Sequence, residues 1–409
     1  MKLGLSKSSE EITEAALQIT GSKSETNRLL ILQALYPDLN IENASRSDDS
    51  EVLQKALNSP DETIDIHHAG TAMRFLTAYF SAKEGAEVVL TGSERMQQRP
   101  IGILVDALRS LGAAITYSKK EGFPPLKIKG KKLKKHKVIL KADVSSQFIS
   151  ALLLIAPSLP NGLELTLAGE ITSRPYIEMT LSLLEQLGVS FHFMNNTITV
   201  RPLAAVDNTV VTVESDWSSA SYFYSLVALS DKKSIQLTSY KTESLQGDSA
   251  LVQLYETLGV QTSFHTEVPA ITLQKIKTGR PTVFKANLSN TPDIAQTLAV
   301  TCFGLGIGCE LTGLHTLKIK ETDRLLALKI ELEKLGAKVV ITEDTLLVSR
   351  SEAIQDGVAI DTYNDHRMAM AFAPLALKTT LHINDAEVVS KSFPTFWEDM
   401  KAVGISVQK

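Results

Sequence analysis

Residues 326–341 read LALKIELEKLGAKVVI, and the period of the apolar positions changes within them. Leu328, Leu332 and Leu335 recur at helical spacing, whereas Ala337, Val339 and Ile341 alternate as in a strand. Gly336 stands at the switch, where a helix needs a residue able to take the left-handed C′ conformation. The same unit is written again as LVDALRSLGAAITY (104–117), TLSLLEQLGVSFHF (180–193), LVQLYETLGVQTSF (251–264) and FWEDMKAVGISV (396–407). A degenerate first copy, EVLQKALNSPDETIDI, occupies 51–66. The stop glycines Gly112, Gly188, Gly259, Gly336 and Gly404 lie 68 to 77 residues apart.

A second set of segments interleaves with the first, each a polar cluster opening an apolar helix. These are GSKSETNRLLILQAL from Gly21, HAGTAMRFLTAYF from His68, DVSSQFISALLLIA from Asp143, DWSSASYFYSLVAL from Asp216, TPDIAQTLAVTCFG from Thr291 and NDHRMAMAFAPLAL from Asn364. Helices this apolar are expected to be buried on most sides. Their polar starts must then gather at a surface, because buried helix N-termini leave unsatisfied N–H groups. The repeats predict an α/β fold of six β/α units, divided as two lobes of three with a small-ligand site in the cleft between them. The boundaries expected are 20–212 for the N-terminal lobe and 213–409 for the C-terminal lobe, which the family resemblance given below would complete with residues 1–19.

Composition narrows the function. The 409 residues carry a net charge of −4, with 44% hydrophobic and 22% charged residues, as in ordinary globular chains. That balance argues against a nucleic-acid or anionic-membrane surface, so any anion must be met by a local basic cluster. Cys302 and Cys309 cannot build a disulfide framework and fit no Cys/His metal pattern. No HExxH or EF-hand is present, and a strand would point His67 and His68 to opposite faces, so no metal is expected. The start, MKLGLSKSSEEITEA, lacks the apolar h-region of a secretory signal, and the expected location is cytoplasmic.

The polar starts hold cations where helix dipoles favour anions. Lys23, Ser24 and Arg28 fall in the first two turns after Gly21, in a pattern that is not a P-loop. Ser145, Ser146, Gln147 and Ser173 add donors, and Arg99 precedes a proline suited to the first position of a helix. Lys320, Glu321 and Arg324 share the run KETDR, and His366 and Arg367 open an almost purely apolar helix. Charge in such a helix is costly unless paired or liganded. Lys391 precedes the last helix, and Asp293 sits in the first turn of TPDIAQ.

Taken in order, GSKSETNR, AGTAMR, QRPI, SSQF, SRPYI, KETDR, NDHRMAM and KSFP resemble the 3-phosphoshikimate 1-carboxyvinyltransferase (EPSP synthase) family of enolpyruvyl transferases. The resemblance implies transfer of the carboxyvinyl group of phosphoenolpyruvate to the 5-hydroxyl of shikimate 3-phosphate, by a monomer needing no cofactor. It implies that Lys23, Ser24, Arg28, Ser145, Ser146, Gln147, Ser173, Asp293, Thr316 and Lys320 hold shikimate 3-phosphate. Lys23, Gly70, Arg99, Gln147, Arg324, Arg367 and Lys391 would hold phosphoenolpyruvate. Asp293 would act as base and Glu321 as acid, with Lys23 completing the catalytic set. Glyphosate is expected to compete with phosphoenolpyruvate in room left by Gly70.

Three positions depart from the family pattern: Thr20 stands for a Pro, His68 for an Asn, and Thr316 for an Asn that contacts the ring. None removes a charge. The sister transferase acting on UDP-N-acetylglucosamine commonly carries a loop Cys before Arg-Pro, and GSERMQQRPIG has none. A non-catalytic anion sensor would be expected to lose Asp293 or Glu321, and both are present.

Overall fold

The glycine stops are where the helices end. Gly112, Gly188, Gly259, Gly336 and Gly404 all have positive φ, between 83° and 109°. At Gly112 the N–H groups of Gly112 and Ala113 return to the carbonyls of Arg109 and Leu108, which closes the helix and releases the chain into a strand. The computed structural model describes the whole chain apart from residues 143, 144, 172, 173, 266, 278 and 280.

Among the described residues the strands form five four-stranded sheets and one two-stranded sheet. The four-stranded sheets share one plan: a parallel pair, then two antiparallel neighbours. In one, Thr63–Asp65 runs parallel to Glu87–Thr91, which pairs antiparallel with Leu126–Lys129 and then Ala114–Tyr117. The sheet that includes the stretch read first has the same order, Val283–Asn287, Gly308–Thr312, Leu346–Val348, Val339–Ile341. The degenerate first copy differs in its strand: Thr63–Asp65 joins the four-stranded sheet described first, while Asn40–Glu42, ahead of the copy's helix, pairs only with Val210–Thr212, in parallel. One sheet is completed from the far end of the chain: Leu3–Lys7 lies between Leu381–Ile383 and Ile405–Gln408.

The chain divides into two compact units, Gly21–Val213 and Met1–Thr20 with Glu214–Lys409. In the first, the helices Lys23–Leu35, Gly70–Ala82 and Ser146–Ile155 pack on one another. In the second, Trp217–Leu229, Ala295–Gly304 and His366–Phe372 occupy the core, and every residue of the last is buried. Helices enclosed in this way bring their hydroxyls inside, and those hydroxyls pair with one another. Ser221 meets Thr297 at 3.1 Å, while Thr301 donates to Ser225 at 2.7 Å and meets the Tyr255 hydroxyl at 2.8 Å. Among the described residues no helix is long and apolar enough to cross a membrane.

Two local readings are corrected. His67 and His68 lie in a turn rather than a strand, with His67 at φ 47° and the His68 ring 2.8 Å from the Ser93 hydroxyl. Pro100 is not the first helical residue, because the N–H groups of Ile101 and Gly102 are drawn to the Gly122 carbonyl and the helix begins at Gly102.

Gly21 enters the first polar cluster pressed against the end of the strand Asn40–Glu42: a Cβ there would lie 1.8 Å from the Asn43 carbonyl oxygen. Gly21→Ala should therefore cost the Gly21–Val213 unit about 1–3 kcal/mol, the usual range for overpacking. Denaturant unfolding should show an earlier midpoint, and an unchanged midpoint would mean the backbone yields there at no cost.

Candidate active site

Within the Glu214–Lys409 part of its unit, four helix starts bring their side chains to one charge cluster. Its centre is Arg324, the first residue of the helix Arg324–Lys334 and only 2% exposed. Its guanidinium donates to three carboxylates. Nε reaches Asp365 at 2.6 Å, Nη1 reaches Asp293 at 2.9 Å, and Nη2 reaches Glu321 at 2.8 Å. Asp365 is the N-cap of the next helix and also accepts the Arg367 backbone N–H at 2.9 Å. One carboxylate thus fixes a helix start and a guanidinium together.

Arg367 extends the cluster, with Nη2 at 3.2 Å from Asp293 and 3.3 Å from the Ser218 hydroxyl. Lys320 lies 3.5 Å from Asp293, and Lys391 lies 3.0 Å from Glu321. Burial alone would push the Asp293 carboxyl up. Arg367, Lys320 and Arg324 outweigh it and hold that carboxyl well below the usual range, so it is an anion at neutral pH. Burial works against the charge of both arginines as well, and the surrounding carboxylates raise their pKa values instead. Behind Ser218 lies Asp248, buried, accepting the serine hydroxyl at 2.5 Å, with its second oxygen unpartnered. Burial, followed by the negative charge of Asp293, lifts the Asp248 carboxyl to about 7. The Thr316 hydroxyl is buried without a hydrogen-bond partner in the turn His315–Ile319.

The second cluster belongs to the Gly21–Val213 unit. Lys23 is the first residue of its helix, 3.3 Å from Asp49, and Ser24 follows it, giving its carbonyl to Arg28 at 2.8 Å. Arg28 is buried, and its remaining bonds run to Thr180, Ser150 and the Tyr176 carbonyl at 2.8, 3.0 and 3.2 Å. These four bonds leave one of its five N–H groups for a ligand. Burial lowers Arg28 to about 10, which still leaves a cation at neutral pH. Ser145 caps the helix Ser146–Ile155 by accepting the Gln147 N–H at 3.4 Å, and the Gln147 amide donates to Thr71 at 3.2 Å. Ser146 is buried. Gly70 lies against Arg99: a Cβ on Gly70 would come 2.6 Å from Nη1. Ser173 lies outside the described residues.

Of the residues singled out in the sequence, Asp293, Thr316, Lys320, Glu321, Arg324, Arg367 and Lys391 belong to one unit. Lys23, Ser24, Arg28, Gly70, Arg99, Ser145, Ser146 and Gln147 belong to the other. The carboxylates Asp49, Asp248 and Asp365, and Ser218, were not singled out. Asp365 and Ser218 stand inside quoted motifs, and the signal that could have raised them is their place in the first turn of an apolar helix. Among the described residues, no group of three or more His, Cys, Asp and Glu side chains is placed to hold a metal ion.

The sequence profile of EPSP synthase (3-phosphoshikimate 1-carboxyvinyltransferase) matches residues 38–400. The chain belongs to the EPSP synthase family. A 3-phosphoshikimate 1-carboxyvinyltransferase of Bacteroides fragilis is 47% identical over 399 residues, covering 97% of this chain and 96% of that one. One from a Sulfurovum species is 35% identical over 420 residues, covering 95% and 96%. Among solved structures, EPSP synthase from Acinetobacter baumannii superposes with a TM-score of 0.79 at 20% identity, over the full length of both chains. The enolpyruvyl transferase NikO from Streptomyces tendae gives 0.73 at 13% identity, covering 100% of this chain and 98% of that one. At those identities the two structures speak for the fold, which the family shares.

Asp248 gives this member of the family a pH signature. A carboxyl raised in the folded chain binds its proton more tightly there than when unfolded. Its contribution therefore favours folding below about pH 4 and is lost as pH rises through about 7. Asp248→Asn should remove that loss, so the variant gains on the parent between pH 4 and 7, by at most about 4 kcal/mol, and the gain levels off above. Denaturant titrations at several pH values would read it; a difference independent of pH would refute the assignment.

Proposed function

We propose that the chain transfers the carboxyvinyl group of phosphoenolpyruvate to the 5-hydroxyl of shikimate 3-phosphate and releases phosphate. The observation that carries this reading, beside the family, is the Arg324 cluster, in which two different carboxylates are held within one set of cations. Asp293, kept ionised by Arg367, Lys320 and Arg324, suits a base for the 5-hydroxyl. The family resemblance assigns the acid to Glu321, the other carboxylate of the cluster, paired with Arg324 and Lys391.

Protonation of the methylene carbon by Glu321 makes C2 of phosphoenolpyruvate cationic, and the 5-hydroxyl adds there as Asp293 takes its proton. A tetrahedral ketal phosphate results. A methyl proton then returns to Glu321, the C2–O bond to phosphate breaks with its electron pair, and the proton on Asp293 passes to the departing phosphate. Arg324, Arg367 and Lys391, with Lys23, Gly70, Arg99 and Gln147, would hold phosphoenolpyruvate. Lys23, Ser24, Arg28, Ser145, Ser146, Gln147, Ser173, Thr316, Lys320 and Asp293 would hold shikimate 3-phosphate. Planar guanidinium forks fit carboxylate and phosphate. Preorganised cations stabilise the developing charge without a cofactor. The reading extends to a cytoplasmic monomer acting on these two small molecules.

Phosphate release should require both substrates together and persist in EDTA; release from phosphoenolpyruvate alone, or none from folded protein, would overturn the reading. Glu321→Gln should bind both substrates and lose at least about a hundredfold in kcat. An unchanged rate would remove Glu321 as proton donor. Gly70→Ala should weaken glyphosate inhibition and raise the phosphoenolpyruvate KM together, because the new methyl group must displace the Arg99 guanidinium. Inhibition lost with KM unchanged would place the effect on glyphosate alone.

A further inference from the structure

The helix Arg324–Lys334 touches the turn ahead of His366 at two points. The first is the pair between Arg324 and Asp365. The second is seven residues on, two helical turns along the same face, where Glu331 is buried with no exposed surface. Its Oε1 accepts the Tyr363 hydroxyl at 2.5 Å, and its Oε2 accepts the Asp361 N–H at 3.1 Å and the Lys334 ammonium at 2.8 Å. Lys334 also reaches Asp361 at 2.7 Å, and Asn384 donates to the other Asp361 oxygen at 2.7 Å.

The segment gripped in this way is strained. Tyr363 and Asn364 have φ of 54° and 55°, two consecutive non-glycine residues in the left-handed region. Asn enters that region readily, whereas a bulky Tyr does so only when its surroundings force it. Such strain persists where other contacts over-determine it, and it collects at functional sites. Here it has a readable effect: Asp365 follows directly, capping the helix that bears Arg367 and orienting Arg324.

We infer that Glu331 and Tyr363 are positioning residues of the phosphoenolpyruvate-binding arginines: the buried carboxylate holds the Tyr363–Asn364 turn, and the turn sets Asp365 against Arg324 and Arg367. Neither residue meets substrate; they act through Asp365. The inference rests on the assignment of Arg324 and Arg367 under Proposed function, and no motif in the sequence gave Glu331 or Tyr363 a role.

Glu331→Ala would bury unpaired donors and fail to fold for unrelated reasons, so the decisive variant is Tyr363→Phe, which removes one hydroxyl and keeps the ring. Its melting temperature should stay within a few degrees of the parent. Its phosphoenolpyruvate KM should rise about tenfold while the shikimate 3-phosphate KM moves less than about threefold, the pattern of an arginine pair loosened toward one substrate. Both KM values unchanged in a folded variant would overturn the inference, as would equal losses for both substrates that track the melting temperature. If the parent releases no phosphate, the functional reading has failed instead. A crystal structure of Tyr363→Phe then decides the positioning role: Asp365 displaced from Arg324 supports it, and an intact pair refutes it.

Discussion

One guanidinium shared by three carboxylates is the constraint on which the site depends. Arg324 could not be buried as a cation without Asp365, Asp293 and Glu321 around it, and Asp365, which is wholly buried, has Arg324 as its ionic partner. Deleting one partner of such a set leaves an uncompensated charge and commonly costs 3–5 kcal/mol, about as much as many large core truncations. Chemistry follows from the asymmetry among the three. Asp365 spends both oxygens on Arg324 and the backbone of Arg367, whereas Asp293 and Glu321 keep some exposure and meet several cations each. The fixed carboxylate supplies geometry, and in the proposed reaction the other two would supply reactivity.

That arrangement changes how an anion is received. Lys320, Arg324, Arg367 and Lys391 offer four positive charges, yet Asp293, Glu321 and Asp365 stand among them, so the cluster is close to balanced. Lys23 likewise leans on Asp49, and most of the Arg28 fork is spent on Thr180, Ser150 and Tyr176. Counting cations in the sequence suggests a strongly attracting surface. The structure shows cations already engaged, so in the proposed reaction an incoming phosphate or carboxylate would have to replace one of their present partners. The desolvation of those side chains is met during folding, before any ligand arrives.

Most of the fold was legible because its two signals are local. A glycine after a helical run and an alternating run after the glycine require no distant information, and even the weak first copy gives a helix, Asp48–Asn58, and a strand, Thr63–Asp65. The apolar helices and their charged starts were legible for the same reason. What the sequence concealed depends on distant pairing. Leu3–Lys7 fits between strands nearly four hundred residues away, and nothing in LGLSK specifies them. Asp248 and Asp49 look like ordinary polar residues of a turn and a helix start until Ser218 and Lys23 are found beside them. Arg28 reads as a phosphate ligand from its position in a helix start, but three of the acceptors that hold it come from other helices. His67 and His68 misled because a turn after Asp65 and a continuing strand have the same local composition.

The interleaved N-terminal strand also orders events during synthesis. Residues 21–213 contain all the strands of their own sheets and are complete once the ribosome has passed them. Leu3–Lys7 leaves the ribosome first of all strands, yet its neighbours are Leu381–Ile383 and Ile405–Gln408. At ordinary elongation rates the chain from that strand to its partners takes ~20–80 s to appear. For that interval the strand is an unpaired edge with an apolar face, formed by Leu3 and Leu5, and it must avoid other partners until Leu381–Ile383 and Ile405–Gln408 are made. Its short length and the lysines at positions 2 and 7 suit it to that wait.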